Sequence, residues 1–191
     1  LDISVGKIMD VVKELNLEKR TLIFFTSDNG PMPLSTAGPL RGKKHSAYEG
    51  GHRVPTIAWW PETIKAGSVT DQLAITMDLM PSILELAETS VPEDHQLDSV
   101  SLVDFFKNQE PFDRKSLFWR RAGKQADRTM REGQWELILD KTDRVELYDL
   151  KADIGQQKNV AKMHPERSSK MEKELLAWEE KVKPHLSYFK K

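Results

Sequence analysis

Leu1, Val5, Ile8, Val12 and Leu15 recur at intervals of three and four, which is one apolar stripe of a helix, with Asp2 or Ser4 placed to cap its start. Thr21 to Phe25 is a continuous apolar and β-branched run without alternation. That pattern belongs to a strand covered on both faces and predicts a central, parallel position. From Gly30 to Gly51 the chain carries five glycines and three prolines, too punctuated for a regular element, so a long loop is predicted. A loop of this length between two buried strands is functional more often than idle. Val54 to Trp60, closed by Pro61, reads as the second strand. Asp78 to Glu88 reads as a helix with Pro81 in its first turn, where the missing N–H is not needed. Ser101 to Lys107 is a short helix. Helix, strand, loop, strand, helix is an α/β order.

The pattern then changes. Ser116 to Arg120, Thr129 to Arg131, Trp135 to Asp140 and Val145 to Asp149 are short strands separated by Gly- or Asp-containing turns, an antiparallel meander. Met171, Leu175, Trp178 and Val182 form the stripe of a last helix, begun either by the Ser169–Glu172 capping box or a turn earlier at Pro165. The division predicted is residues 1–115 as an α/β layer and 116–191 as a small subdomain of meander plus helix, ending in a solvated Lys-rich tail.

Composition narrows the function classes. Across 191 residues, 38% hydrophobic and 31% charged content fits a folded chain, and 29 Lys and Arg against 30 Asp and Glu leave a net charge of −1. No strong field recruits nucleic acid or an anionic membrane, so anion recognition has to be local. The longest apolar runs fall short of the ~20 residues a membrane-spanning helix needs. With no cysteine, the chain offers neither disulfide nor thiolate.

Local chemistry gathers in two places. Thr26 to Pro31, TSDNGP, follows directly on the first strand. Asp28 and Asn29 would converge on one ligand only if the backbone left β geometry, which Gly30 and Pro31 permit. A carboxylate and an amide carbonyl are a hard oxygen pair suited to Ca²⁺ or Mg²⁺, and equally the start of an Asx turn. Leu40 to Pro55, LRGKKHSAYEGGHRVP, sets Arg41, Lys43, Lys44 and Arg53 against the single carboxylate Glu49. Such a loop either binds a tetrahedral oxyanion or is a solvated charged segment.

Together these motifs resemble the formylglycine-dependent, type I sulfatases of the alkaline phosphatase-like superfamily. TIAWWP from Thr56, TDQLAITMDLMPSILELA from Thr70, REGQWELI from Arg131 and ELYDLKADIGQQKNVA from Glu146 look like successive downstream blocks of that family. The resemblance implies the C-terminal portion of an alkaline phosphatase-like sandwich, a mostly parallel sheet with flanking helices, plus the small antiparallel subdomain. It implies that Asp28 and Asn29 are the second ligand pair of one Ca²⁺. Lys44, four positions before Tyr48, is then the sulfate-binding and catalytic lysine, and Lys43 a solvated neighbour. His45 is either a contact to the leaving-group alcohol or an exposed structural histidine. Glu49, Gly50, Gly51 and Arg53 look architectural.

The family's nucleophile, a formylglycine made in a C/S-x-P-x-R motif, has no counterpart here, nor has the first Asp pair of the metal site. The expectation is therefore a piece of a longer protein, inactive alone, with a sulfated carbohydrate or aryl sulfate as substrate, the preceding part of the same protein as partner, and a periplasmic or secreted setting. Trp59 and Trp60, on adjacent positions, ask for cover on both faces, so the chain alone is expected to be aggregation-prone. Trp119, Arg120 and Arg121 are candidates for the pocket mouth. A phosphodiesterase or phosphonate hydrolase of the same superfamily, or a catalytically silent binding module, are the competing readings.

Overall fold

The computed structural model of the protein describes residues 1–91, 95, 97–121 and 126–182, so the tail from residue 183 lies outside the described residues. Its elements run α1 (Asp2–Glu14), β1 (Ile23–Thr26), α2 (Glu49–His52), β2 (Thr56–Trp59), α3 (Leu79–Leu86), α4 (Val103–Asn108), β3 (Leu117–Arg120), β4 (Arg128–Glu132), β5 (Trp135–Leu139), β6 (Val145–Asp149) and α5 (Pro165–Val182). The α/β class is as the sequence predicts, with its antiparallel subdomain and closing helix. None of the helices is long and apolar enough to cross a membrane among the described residues.

Two compact units result, one of residues 1–27 and 55–113, the other of residues 28–54 with those from 114 onward. The long loop, although threaded between β1 and β2, groups with the C-terminal sheet, not with the α/β layer of the 1–115 division.

In the first unit β1 and β2 pair antiparallel, Ile23 opposite Trp59 and Thr26 opposite Thr56, whose hydroxyls meet at 3.0 Å. This corrects the expected parallel direction for the pairing of β1 with β2. The chain leaves β1 and returns through a loop, whereas parallel neighbours need a crossover, and β1 has no parallel partner among the described residues. Helix α1 begins from Leu1 with no side-chain cap, so neither Asp2 nor Ser4 plays that part. Its stripe is only half-covered: Val5 and Val12 are half-buried while Ile8 and Leu15 are exposed. The start of α3 is fastened by Asp78, fully buried, whose carboxylate accepts from the N–H groups of Ile75 and Val100. The Ser82 hydroxyl donates to the Asp78 carbonyl and accepts from Leu102 N–H, tying α3 to the chain that enters α4.

The second unit holds most of the buried apolar side chains. Strands β3, β4, β5 and β6 form an antiparallel sheet in sequence order, with Met130 opposite Leu137 and Leu137 opposite Leu147. Because side chains alternate, Met130, Leu137, Leu139 and Leu147 share one face and pack with Met171 and Leu175 of α5. Phe118 stacks on Trp178 at 5.2 Å. Helix α5 starts at Pro165, which suits a first helical position, and Ser169 lies inside it, so the Ser169–Glu172 pair is not its cap. The other face of the sheet carries Thr129, Arg131, Glu136, Glu146 and Tyr148, and on it lies the loop of residues 28–54.

Candidate functional site

The loop is closed by backbone contacts that only glycine allows. Gly30 N–H donates to Gly51 O at 2.9 Å and Gly50 N–H to Arg41 O at 2.8 Å. A Cβ on Gly30 would stand 1.8 Å from Gly50 O, one on Gly50 2.3 Å from Gly42 O, and one on Gly51 2.1 Å from Ser46 O. Lys44 N–H donates to Pro31 O at 3.0 Å. These bonds join the segment after Asp28 and Asn29 to the segment bearing Lys44, so the two motifs become one folded piece.

Three of the four loop cations are engaged. The Arg41 guanidinium lies 3.8 Å over the Tyr48 ring and donates to Tyr148 Oη at 3.0 Å and Gln156 O at 2.8 Å. Lys43 is not simply solvated, since its Nζ donates to Pro33 O at 2.5 Å. Arg53 donates to Glu49 Oε2 at 3.0 Å. The ammonium of Lys44, half-buried, makes neither hydrogen bond nor ion pair among the described residues, and the same holds for the exposed carboxylate of Asp28. Asn29 is half-buried beside buried Gly30. His45 is exposed with φ 72°, a left-handed conformation that costs a non-glycine residue about 1 kcal/mol or more.

Beneath the loop sits a buried polar cluster. Nη1 of Arg131 donates to both carboxylate oxygens of Glu49 at 2.8 Å, and Glu49 N–H donates to Gln156 Oε1 at 2.9 Å. Nε2 of Gln156 in turn donates to Oε2 of Glu136 at 2.5 Å. Nε2 of His52 stands 3.2 Å from Oε1 of Glu136 and 3.7 Å from Oε1 of Glu49, while its ring lies 4.3 Å from that of Trp119. Thr129 Oγ1 donates to Ala47 O at 2.8 Å, and the hydroxyls of Tyr48 and Tyr148 both donate to Oε2 of Glu146. Burial holds the Glu136 carboxyl well above the usual carboxylate range; the charge of Glu49 adds to the rise, and Arg131 and Arg53 oppose it. Burial lowers His52, against the pull of Glu49 and with the help of Arg131.

Trp119, Arg120 and Arg121 are occupied within the fold. Trp119 covers His52, Arg120 Nε donates to Glu179 Oε1 at 2.8 Å, and Arg121 Nη1 to Asp127 Oδ2 at 3.2 Å. Arg128 shares the Glu179 carboxylate through Oε2 at 3.1 Å, and the two arginines hold that carboxyl below its ordinary range despite its burial. Through Glu179, Arg120 and Arg128 tie β3 and β4 to α5.

Known proteins place the arrangement. A family model described as Sulfatase matches residues 1–89. N-acetylgalactosamine-6-O-sulfatase of Bacteroides thetaiotaomicron is 30% identical over 195 residues, covering 87% of this chain and 38% of that enzyme. Sulfatases are thus what the chain is similar to, over residues 1–89 by the family model and over most of its length by the bacterial relative. The mouse N-acetylgalactosamine-6-sulfatase is 39% identical over 126 residues, 63% of this chain and 24% of its own. The crystal structure of Ps i-CgsB in complex with k-i-k-neocarrahexaose superposes with a TM-score of 0.85 at 29% identity, over 93% of this chain and 40% of that one. The chain spans between 24% and 38% of the length of these two curated relatives. The likeness to solved sulfatases carries the alkaline phosphatase-like α/β class over nearly the whole of it.

The sequence pattern picks out the loop residues but not the residues that hold them: Arg131, Glu136, Glu146, Tyr148 and Gln156. The signal was present in part. Glu136 sits between Trp135 and Leu137, and Glu146 between Val145 and Leu147, charged positions in strands that are otherwise apolar. Strand alternation puts both glutamates on the face away from α5.

Proposed function

We propose that this chain supplies the sulfate-binding lysine and half of a metal site to an enzyme that hydrolyses sulfate esters, within a longer protein whose preceding part carries the formylglycine nucleophile. A sulfated sugar is the substrate class that agrees with the N-acetylgalactosamine-6-sulfatases among its relatives. The observation that carries the reading is the fastening of the Asp28–Asn29 segment to the Lys44 segment, with Lys44 the loop cation left unengaged among the described residues.

The donor chemistry of Asp28 and Asn29 fits Ca²⁺: one carboxylate oxygen and one amide oxygen, both hard, on a turn that Gly30 bends, with the Asp28 carboxylate engaged by no cation among the described residues. When bound, the ion supplies positive charge beside the sulfate. The ammonium of Lys44 pairs with a sulfuryl oxygen, adding charge stabilisation from a site already set by the fold. On this reading His45, exposed next to Lys44, meets the leaving-group alcohol. Gly30, Gly50 and Gly51 keep these groups in register, since no side chain fits between the loop strands. Held apart from the preceding segment, residues 1–191 lack the nucleophile and do not turn over.

The test compares Lys44→Ala with Lys43→Ala in the longer protein on an aryl sulfate reporter. Lys44→Ala is expected to lower kcat/KM by about 10²–10³ and Lys43→Ala by only a few-fold. Equal losses would mean that the sulfate contact is wrongly assigned. Asp28→Ala is expected to abolish turnover with an unchanged circular dichroism spectrum, and turnover with unaltered Ca²⁺ dependence would reject the metal assignment.

A further inference from the structure

The cluster under the loop contains two atoms that face each other and make no other hydrogen bond among the described residues: Oε1 of Glu136 and Nε2 of His52, which stand 3.2 Å apart. The Glu136 side chain is fully buried and that of His52 is 11% exposed. Two acceptors cannot meet at this distance without a proton between them.

The surrounding charges decide where that proton belongs. From α2 comes Glu49, from the residue just after it Arg53, from β4 Arg131, from β3 the ring of Trp119, and from the segment after β6 the neutral amide of Gln156. Glu49 is already matched by Arg131 and Arg53, so a second carboxylate here has no cation reserved for it. An imidazolium would stand near two guanidiniums in a largely buried site. A divalent ion bridging Glu49, His52 and Glu136 is the other occupant the donor set allows. Arg131 holds both oxygens of Glu49, and that guanidinium would repel the ion.

We infer that Glu136 is a neutral carboxylic acid that donates its proton to Nε2 of a neutral His52, and that this bond docks α2, and with it the sulfate-binding loop, on the polar face of the sheet. Helix α2 transmits the docking because Gly50 and Gly51 carry the backbone bonds to Arg41 and Gly30. The direction of both shifts agrees: burial raises Glu136 and lowers His52.

Proton counting yields a distinctive pH profile. A carboxyl raised on folding contributes stability that is complete below its unfolded value of 4.5 and is lost as pH rises toward its folded value. An imidazole lowered on folding contributes stability that is complete above 6.5 and is lost as pH falls toward its folded value. Folded, the pair carries one shared proton. Unfolded, it carries one proton between 4.5 and 6.5, none well above and two well below. The pair's contribution is therefore flat between those values and falls on either side, by about tenfold in the unfolding constant per pH unit on each limb.

Urea unfolding of the protein as a function of pH, compared with Glu136→Gln, tests this. The amide keeps a donor toward Nε2, so the variant is expected to match the parent near pH 6 and to lose the alkaline limb. An unchanged alkaline limb in the variant would overturn the inference. A second measurement does not depend on any variant folding: ¹⁵N NMR of His52 at pH 7 is expected to show a neutral ring with Nε2 as acceptor, and an imidazolium signal would contradict it. Added Zn²⁺ is expected to leave the melt unchanged. Stabilisation by Zn²⁺ that vanishes in His52→Gln would show that the site holds metal instead.

Discussion

The two faces of the β3–β6 sheet are made by the same four strands and differ at every second residue. Toward α5 they present Phe118, Met130, Leu137, Leu139 and Leu147, a non-directional surface against which Met171 and Leu175 bury area. Toward the loop they present Thr129, Arg131, Glu136, Glu146 and Tyr148, each bonded to a named atom. Apolar burial would hold α5 in several registers at similar cost, and packing selects among them. The polar face leaves α2 a single position, because Glu49 meets Arg131 of β4 through its carboxylate and Gln156 through its N–H together. One face holds the fold and the other sets the geometry of the site.

The comparison can be broken from either side. The largest loss is expected for Arg131→Ala, which takes the buried Glu49 carboxylate's bidentate partner and leaves it only Arg53, and costs about 3–5 kcal/mol in a urea melt. Leu137→Ala on the apolar face is expected to cost about 2–5 kcal/mol through a cavity and lost transfer energy. The double change Glu49→Met with Arg131→Met sharpens the contrast, since apolar replacement of a buried pair is often neutral within about 1–2 kcal/mol. That variant is expected to melt near the parent yet to lose activity in the longer protein. A double variant as unstable as Arg131→Ala would show that the pair carries stability and not position. Smallest is Arg144→Ala, whose side chain is 68% exposed although it touches Asp140 and Glu146, expected to cost no more than about 1 kcal/mol.

What was legible in the sequence follows the range of the interactions. Helices α1 and α5 and strands β3 to β6 each write their own period, so their limits could be read within a few residues. Strand direction depends on partners, and the run Thr21–Phe25 looked parallel although β1 meets β2 antiparallel. Lys44 was separable from Lys43 only through the spacing of a family motif; the bond from Lys43 to Pro33 was not legible at all. The grip on Glu49 was beyond reach because Arg131 and Gln156 are 82 and 107 positions away. The first unit shows the converse: Ile3, Ile8, Val11 and Leu15 of α1 and the adjoining turn stay exposed, as do Met80 and Ile83 of α3, although their periodicity is plain. Periodicity reports which face is apolar and not what covers it.

Amide hydrogen exchange tests most directly whether the polar face holds the loop. In the parent protein the amides of Gly30, Lys44 and Gly50, each bonded across the loop, are expected to be protected alongside those of β4 and β5. In Arg131→Met the three loop amides are expected to lose at least about tenfold in protection, matching a local opening of roughly 1.4 kcal/mol or more, while the ladder between β5 and β6 keeps its own. Loop amides that stay protected in this variant, or a loss shared equally by the β5–β6 ladder, would contradict the account.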